Sequence, residues 1–279
     1  MRLAVTVLLL THTLAEAQLN KALDYLTVEV RNWPQQNQCF SCHNNGDGAR
    51  ALFIARRAVP RQTLDWLQSP NLWEKAGANP GISDRTLASI QYAAALSEAE
   101  PRNREALRLA AAILAKSQSN DGSWIIDTLG SPATYGTALA TSVARSTLIE
   151  AEPKQFANSI ASATAWLGRL KASNVPEAAA SQNSNFLLDA QNRDGGWGPW
   201  KLAPSEPFDT AIAILALDEK RALGKDAVAR GRAYLLRTQQ PSGGWMETTR
   251  PAGGQSYAQH ISTTAWAAIA LLRKDSKRN

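Results

Sequence analysis

Three short stretches between residues 118 and 245 share the pattern Q-x-x-x-G-x-W. They read QSNDGSW at 118–124, QNRDGGW at 191–197 and QQPSGGW at 239–245. A helical pattern ending in an apolar pair precedes each one: Ile113-Leu114, Phe186-Leu187 and Tyr234-Leu235. The sequence T-A-x-A follows each one, beginning at Thr137, Thr210 and Thr264. Because both flanks recur together with the turn, the pattern indicates a repeated structural unit.

Each unit predicts a hairpin of two helices. Glycine after the Gln supplies the positive φ that ends the first helix. The second helix, for example Thr210 to Leu217, is apolar on every face and should be buried all round. The first helix, for example Arg221 to Arg237, mixes apolar and charged residues and should lie outside. Since no strand-like alternation occurs, we expect an all-α fold with inner and outer rings of helices.

These units, with Arg230-Gly231 and Tyr234-Leu235 leading the third, resemble the QW repeats of squalene-hopene cyclase and other triterpene cyclases. The more distant relative is the α/α toroid of protein prenyltransferase β subunits. The resemblance covers roughly residues 84–273 and implies an α/α toroid (barrel) of roughly five to six helical hairpins around a central cavity. It also implies structural roles for the Gln and Trp side chains, and an isoprenoid or other lipid as an alternative ligand of the cavity. The short interval from Trp166 to Phe186 predicts one truncated hairpin.

The catalytic residues of those families are not matched. Cyclases of this kind protonate an alkene with the central acid of D-x-D-D-T-A, and the corresponding stretch 206–211 has Phe208 at that position. Asp209, which follows, is expected to cap a helix. The prenyltransferases hold zinc with an Asp, a Cys and a His, but no cysteine follows Cys42 and His260 alone makes no site. These departures argue against either enzyme, and we assign no catalytic residue.

The sharpest chemical signal is C-x-x-C-H at Cys39, Cys42 and His43, the attachment pattern of c-type haem. In such a site the two thiols bond the haem vinyl groups and the histidine binds the iron. His260 and Met246 are the candidate distal ligands, since they are the other His and Met outside the first 17 residues. Two alternatives stay open, a zinc site and a dithiol or disulfide. Covalent haem would indicate electron transfer or redox or ligand sensing, with a redox partner protein.

The first 17 residues predict an export signal. Arg2 supplies the positive charge, Leu3–Leu10 the apolar stretch, and Ala15-Glu16-Ala17 a small-residue cleavage site. A short buried N-terminal helix is the alternative. We therefore expect a signal peptide at 1–17, a single toroid domain at 18–279, and a periplasmic or secreted protein.

The charge and the apolar content of the chain argue against a nucleic-acid partner and a membrane span. Lys and Arg number 30 against 24 Asp and Glu, a formal net charge of +6 that is not concentrated in any basic block. A nucleic-acid partner is therefore not expected. No apolar stretch is long enough to predict a transmembrane segment.

Overall fold

The structure is a computed structural model, and it describes residues 2–75, 84–126, 136–218, 224–248, 253 and 255–273; the side chains of 2–13, 74, 75 and 218 are not described. The α-helices are α1 (Arg2–Asn37), α2 (Ala49–Ile54), α3 (Arg61–Leu67), α4 (Arg85–Glu98), α5 (Arg104–Ser117), α6 (Gly136–Ala151), α7 (Ala157–Arg169), α8 (Val175–Ala180), α9 (Ser184–Ala190), α10 (Pro207–Asp218), α11 (Lys225–Thr238) and α12 (Tyr257–Leu272). A π-helix (Cys42–Gly48) leads into α2, and a 3₁₀-helix (Pro70–Lys75) follows α3. No strand occurs among these residues, which confirms the all-α prediction.

Six hairpins of the described residues form a closed ring. The inner elements are the π-helix with α2, then α4, α6, α8, α10 and α12, and each contacts the next. Helix α12 in turn contacts the π-helix, which closes the ring. The outer elements are α1, α3, α5, α7, α9 and α11, each ahead of its inner partner in the chain. This architecture confirms the predicted α/α toroid and shows the closure that the sequence left open.

Burial explains which helices lie inside. Every residue from Ile261 to Leu271 of α12 is buried, as the apolar pattern of that stretch predicts. In α11 the buried residues fall on one stripe, at Ala227, Val228, Gly231, Tyr234 and Leu235, and the other face is polar. An outer helix therefore needs one apolar face, whereas an inner helix needs apolar residues all round.

The predicted truncated hairpin is present. Its inner helix, α8, has only six residues. Asn174 caps it by accepting a hydrogen bond from the Glu177 backbone N–H, and Pro176 lies in its first turn, where proline is tolerated. The inner layer of the ring at this hairpin is therefore less than two helical turns long.

Each repeat Trp binds both helices of its own hairpin. The indole Nε1 donates to a carbonyl of the preceding outer helix, in the pairs Trp124–Leu114 (2.8 Å), Trp197–Leu187 (2.7 Å) and Trp245–Leu235 (2.8 Å). The backbone N–H donates to a threonine Oγ1 of the following inner helix, in the pairs Trp124–Thr141 (3.0 Å), Trp197–Thr210 (2.9 Å) and Trp245–Thr264 (3.1 Å). In the first unit the bonding threonine is therefore Thr141, and the T-A-x-A match at Thr137 is wrong by one helical turn. The two threonines are four residues apart and so share a face of α6.

Each repeat Gln joins its hairpin to the next outer helix. Its side-chain amide donates to the backbone carbonyl of Ser159 in α7, Ala227 in α11 or Gln18 in α1, at 3.0, 2.8 and 2.9 Å. Ser159 and Ala227 are each the third residue of their helices. Gln18 has the equivalent position in α1, so the repeat unit of α1 corresponds to the part of that helix from about residue 16 onward. The third Gln therefore makes one of the hydrogen bonds that close the ring.

Candidate functional site in the ring interior

The C-x-x-C-H turn lies where the other hairpins carry a Q-x-x-x-G-x-W turn, between outer helix α1 and the inner π-helix. Cys39 and Cys42 are both partly buried and are not joined by a disulfide. Ser41 caps the π-helix, since its Oγ accepts hydrogen bonds from the backbone N–H groups of His43 (3.2 Å) and Asn44 (3.4 Å). The cap fixes the turn that carries the two thiols and the imidazole.

The outward face of the π-helix is bound to α1 and α3. The Asn45 side-chain amide donates to the Val30 carbonyl at 3.1 Å and to Thr63 Oγ1 at 3.0 Å. Gly48 approaches Val30 so closely that a Cβ there would be 3.0 Å from Val30 Cγ2. With this face bound to the outer helices, His43 and Asp47, which are about one turn apart, face the inner helices on either side.

His43 and Asp47 form a buried polar network with one residue from each neighbouring inner helix. His43 Nδ1 lies 2.6 Å from Ser262 Oγ of α12, and Ser262 Oγ donates to Asp47 Oδ2 at 2.7 Å. Gln91 of α4 donates from Nε2 to the same Asp47 oxygen at 2.6 Å and lies 3.4 Å from His43 Nδ1. His43 is the most accessible of the four, at 5% exposure. The network therefore joins three inner elements at the point where the ring closes.

Burial sets the protonation states of the motif. It lowers the pKa of His43 to about 4, which keeps the imidazole neutral. It raises the pKa of Cys42 to about 12, and the nearby Asp47 carboxylate adds to this rise. In the fold as described, Cys42 is therefore a thiol rather than a thiolate.

Arg50 lies further along the ring interior, in α2. Its guanidinium carbon is 5.3 Å from the centroid of the Trp266 ring, and its Nη2 is 3.6 Å from Glu98 Oε1. Arg273 Nη2 is also 3.6 Å from this oxygen. Among the residues that the structure describes, Arg50 Nε and Nη1 are buried without a hydrogen-bond partner. The interior thus has a cationic group with unused donors beside an aromatic ring.

The stretch that matches the cyclase acid motif also faces the interior. Phe208 is fully buried and packs edge-to-face on Trp266, with 6.0 Å between the ring centroids. Asp209 is buried too, but α10 begins at Pro207, so Asp209 lies in the first turn and the expected N-cap role is wrong. An acidic residue in the first turn still stabilises the helix through its dipole. Phe208 itself has no proton to donate.

The two candidate distal ligands contact other groups. His260 Nδ1 is 3.6 Å from Glu247 Oε2, and its ring packs against the edge of Tyr25 at 5.7 Å. It is two residues from Ser262, about 200° around the same helix, and so faces away from the network. Met246 is 55% exposed, and its sulfur accepts from Gln240 Nε2 at 2.6 Å. The structure brings neither side chain to His43.

Sequence reasoning missed three members of the network. Asp47 follows His43 by four residues and could have been found from that helical spacing. Gln91 and Ser262 lie 48 and 219 residues away, and no local pattern marks them. Within the described ranges, no three His, Cys, Asp or Glu side chains converge as a metal-ion site, and no helix is both long and apolar enough to cross a membrane.

Comparison with known proteins places the likeness in the C-terminal part of the chain. Residues 172–270, which contain α8 to α11 and most of α12, match the squalene-hopene cyclase C-terminal domain. Similar proteins include a squalene–hopene cyclase of Bradyrhizobium diazoefficiens (39% identical over 82 residues, 25% of this chain and 12% of the relative). A drimenyl diphosphate synthase of Streptomyces showdoensis is 40% identical over 76 residues (27% and 14%), and a lanosterol synthase of Candida albicans 32% over 98 (31% and 13%).

These matches cover only a small share of each relative. The chain aligns with 12–14% of the length of these three proteins, and the family match begins well after the C-x-x-C-H turn. The likeness therefore supports a cyclase-like α/α toroid and does not extend to the network around His43.

Proposed function

We propose that the ring interior binds an isoprenoid-class lipid. The main support is that the residues matching the cyclase domain include α10 and most of α12, the two helices that form an apolar wall of the ring. There Phe208 and Trp266 present two aromatic rings 6.0 Å apart. The similar proteins are named for squalene, lanosterol and drimenyl diphosphate, which are all isoprenoids.

Binding is favoured over cyclisation by the identity of residue 208. Cyclisation of an alkene needs a strong acid at the start of the reaction, and a phenyl ring cannot supply the proton. Arg50 would bind a polar or anionic end of the lipid, because its Nε and Nη1 lack partners. The ligand would then contact both Trp266 and the guanidinium, whose carbon is 5.3 Å from the centroid of that ring.

Native mass spectrometry and solvent extraction of the full chain test this proposal. We expect a lipid at about one per chain, lost in Trp266→Leu and retained in the matched surface control Trp200→Leu, whose indole is exposed. A chain that is lipid-free and that leaves squalene and farnesyl diphosphate unbound would overturn lipid binding. Turnover of either compound would replace binding by catalysis.

A second candidate, covalent c-type haem at Cys39 and Cys42, is favoured by the N-terminal turn itself. Neither cysteine forms a disulfide, both are only partly buried residues of one capped turn, and the neighbouring His43 is a neutral imidazole. Each thiol would add its S–H across one vinyl group, so no atom is lost. The haem iron would supply electron transfer or ligand binding, with His43 as its protein ligand and a redox protein as partner. His260 or Met246 would reach the iron only after rearrangement.

An absorption spectrum and an intact mass of protein made in a host that matures c-type cytochromes test the second candidate. The expected result is a reduced haem c band and a mass gain of one haem, with the mature chain beginning at Gln18 if the export signal is cleaved. The double variant Cys39→Ala/Cys42→Ala should lack both. A colourless wild type would overturn the haem, and metal and thiol analysis would then separate zinc from a dithiol or disulfide.

A further inference from the structure

We infer that Ser262 and Asp47 are positioning residues that place the proton of His43 on Nδ1 and leave Nε2 as its unprotonated, ligand-binding nitrogen. As a role in iron ligation, this rests on the haem candidate. The choice of tautomer itself follows from the hydrogen bonds around an ionised Asp47.

In its ionised form, the Asp47 carboxylate can only accept hydrogen bonds. Two groups converge on its Oδ2, the Gln91 amide nitrogen at 2.6 Å and Ser262 Oγ at 2.7 Å. An amide nitrogen is a donor only, so the contact with Gln91 uses one lone pair of Oδ2. Ser262 donates its single hydroxyl hydrogen to a second lone pair of this ionised carboxylate.

The hydrogen bond from Ser262 to Asp47 determines which nitrogen of His43 carries the proton. With its hydrogen committed to Asp47, Ser262 offers only lone pairs to the imidazole. A contact of 2.6 Å between Ser262 Oγ and His43 Nδ1 is then satisfied only if Nδ1 carries the proton and donates it. A neutral imidazole has one N–H, so Nε2 is the acceptor nitrogen.

The one competing contact does not reverse this assignment. Gln91 Nε2 is 3.4 Å from His43 Nδ1, well beyond its 2.6 Å contact with Asp47. A donor at 3.4 Å is weak, and that amide is oriented by the carboxylate. The chain from Asp47 through Ser262 to Nδ1 therefore dominates.

The network would also strengthen Nε2 as a ligand. Metal-binding histidines usually donate their second N–H to a fixed acceptor, which orients the ring and raises the basicity of the ligating nitrogen. Here the acceptor is a hydroxyl polarised by a buried carboxylate. Because Ser262 comes from α12, a properly oriented imidazole requires the closed ring.

The tautomer can be measured directly with ¹⁵N-histidine and long-range ¹H–¹⁵N NMR correlation on the full chain carrying Cys39→Ala/Cys42→Ala, near neutral pH. We expect Nδ1–H for His43, and a shift toward Nε2–H in Ser262→Ala and Asp47→Asn. Ser262→Thr, which keeps the hydroxyl, should restore the first pattern. Thr263→Val is the matched control, since the neighbouring Thr263 Oγ1 is buried and has no hydrogen-bond partner in the described part of the chain.

The same variants in haem-loaded protein provide a separate signal. Loss of the acceptor should lower the Fe–His stretching frequency in the resonance Raman spectrum of the reduced form and raise the reduction potential, with Thr263→Val unchanged. An Nε2–H tautomer in the parent chain, or identical behaviour of Ser262→Ala and Thr263→Val, would overturn the inference. If no variant takes up haem, the haem candidate fails while the NMR result still decides the tautomer.

Discussion

The three repeat turns and the C-x-x-C-H turn occupy the same place in their hairpins and use their polar groups in opposite ways. In a repeat turn the indole N–H, the Trp backbone N–H and the Gln amide are all satisfied by neighbouring helices. In the N-terminal turn the two cysteines form no disulfide, and His43 and Asp47 of the π-helix are bonded to the neighbouring inner helices. A turn fully bonded to its own scaffold is structural, whereas one with unused reactive groups is a candidate site.

The largest expected effect falls on a repeat Trp. Trp197→Ala removes a fully buried indole and its 2.7 Å hydrogen bond to the Leu187 carbonyl. We expect a loss of about 3–5 kcal/mol in the free energy of unfolding, from denaturant titration. Trp200→Ala, at an indole that is 51% exposed, should cost less than about 1 kcal/mol. Equal losses would show that the repeat Trp is not a structural element.

A repeat glycine comes next. Gly195 has a φ of +88°, and a Cβ there would lie 2.7 Å from the Arg230 carbonyl oxygen of α11. Gly195→Ala should cost about 2–3 kcal/mol, since a left-handed backbone alone costs roughly 1–2 kcal/mol in alanine. Gly136, with a φ of +63° and no atom of the described residues within 4 Å of the added Cβ, is the matched control for backbone strain. Gly136→Ala should therefore cost less, and an equal cost would remove the close approach as a cause.

The ring closure can be weakened at Gln239. Gln239→Ala deletes hydrogen bonds of 2.9 Å to the Gln18 carbonyl and 2.7 Å to the Gly243 carbonyl, a loss of about 1–2 kcal/mol. Gln118→Ala should destabilise the fold by a similar amount, because its two bonds of 2.9 and 3.0 Å are equivalent. Only Gln239→Ala should speed hydrogen exchange in the π-helix, next to the closure. Faster exchange there in both variants would contradict a local effect.

The contrast between the turns also explains what the sequence could predict. Helix burial, hairpin order and the truncated α8 follow from local patterns, since each depends on residues within one or two turns of a helix. The network around His43 depends on closure, which brings Ser262 next to a residue 219 positions earlier. Likewise, no local signal separates Thr137 from Thr141 as the partner of Trp124, because both are on one face of α6. Non-local contacts between polar side chains were the part that the sequence could not provide.

The smallest effect on stability is expected from substitution of the two cysteines in the C-x-x-C-H turn, although this turn carries the candidate reactive groups. Cys39 and Cys42 are only partly buried and make no disulfide, so the haem-free Cys39→Ala/Cys42→Ala chain should lose less than about 1 kcal/mol. The same change should abolish any mass gain from covalent haem, whereas Trp197→Ala should reduce haem only in proportion to the unfolded fraction. Denaturant titration and intact mass on both variants test the pair together. If the double cysteine variant were as unstable as Trp197→Ala, the C-x-x-C-H turn would be structural like the three repeat turns. The thiols would then be packing groups of the first hairpin.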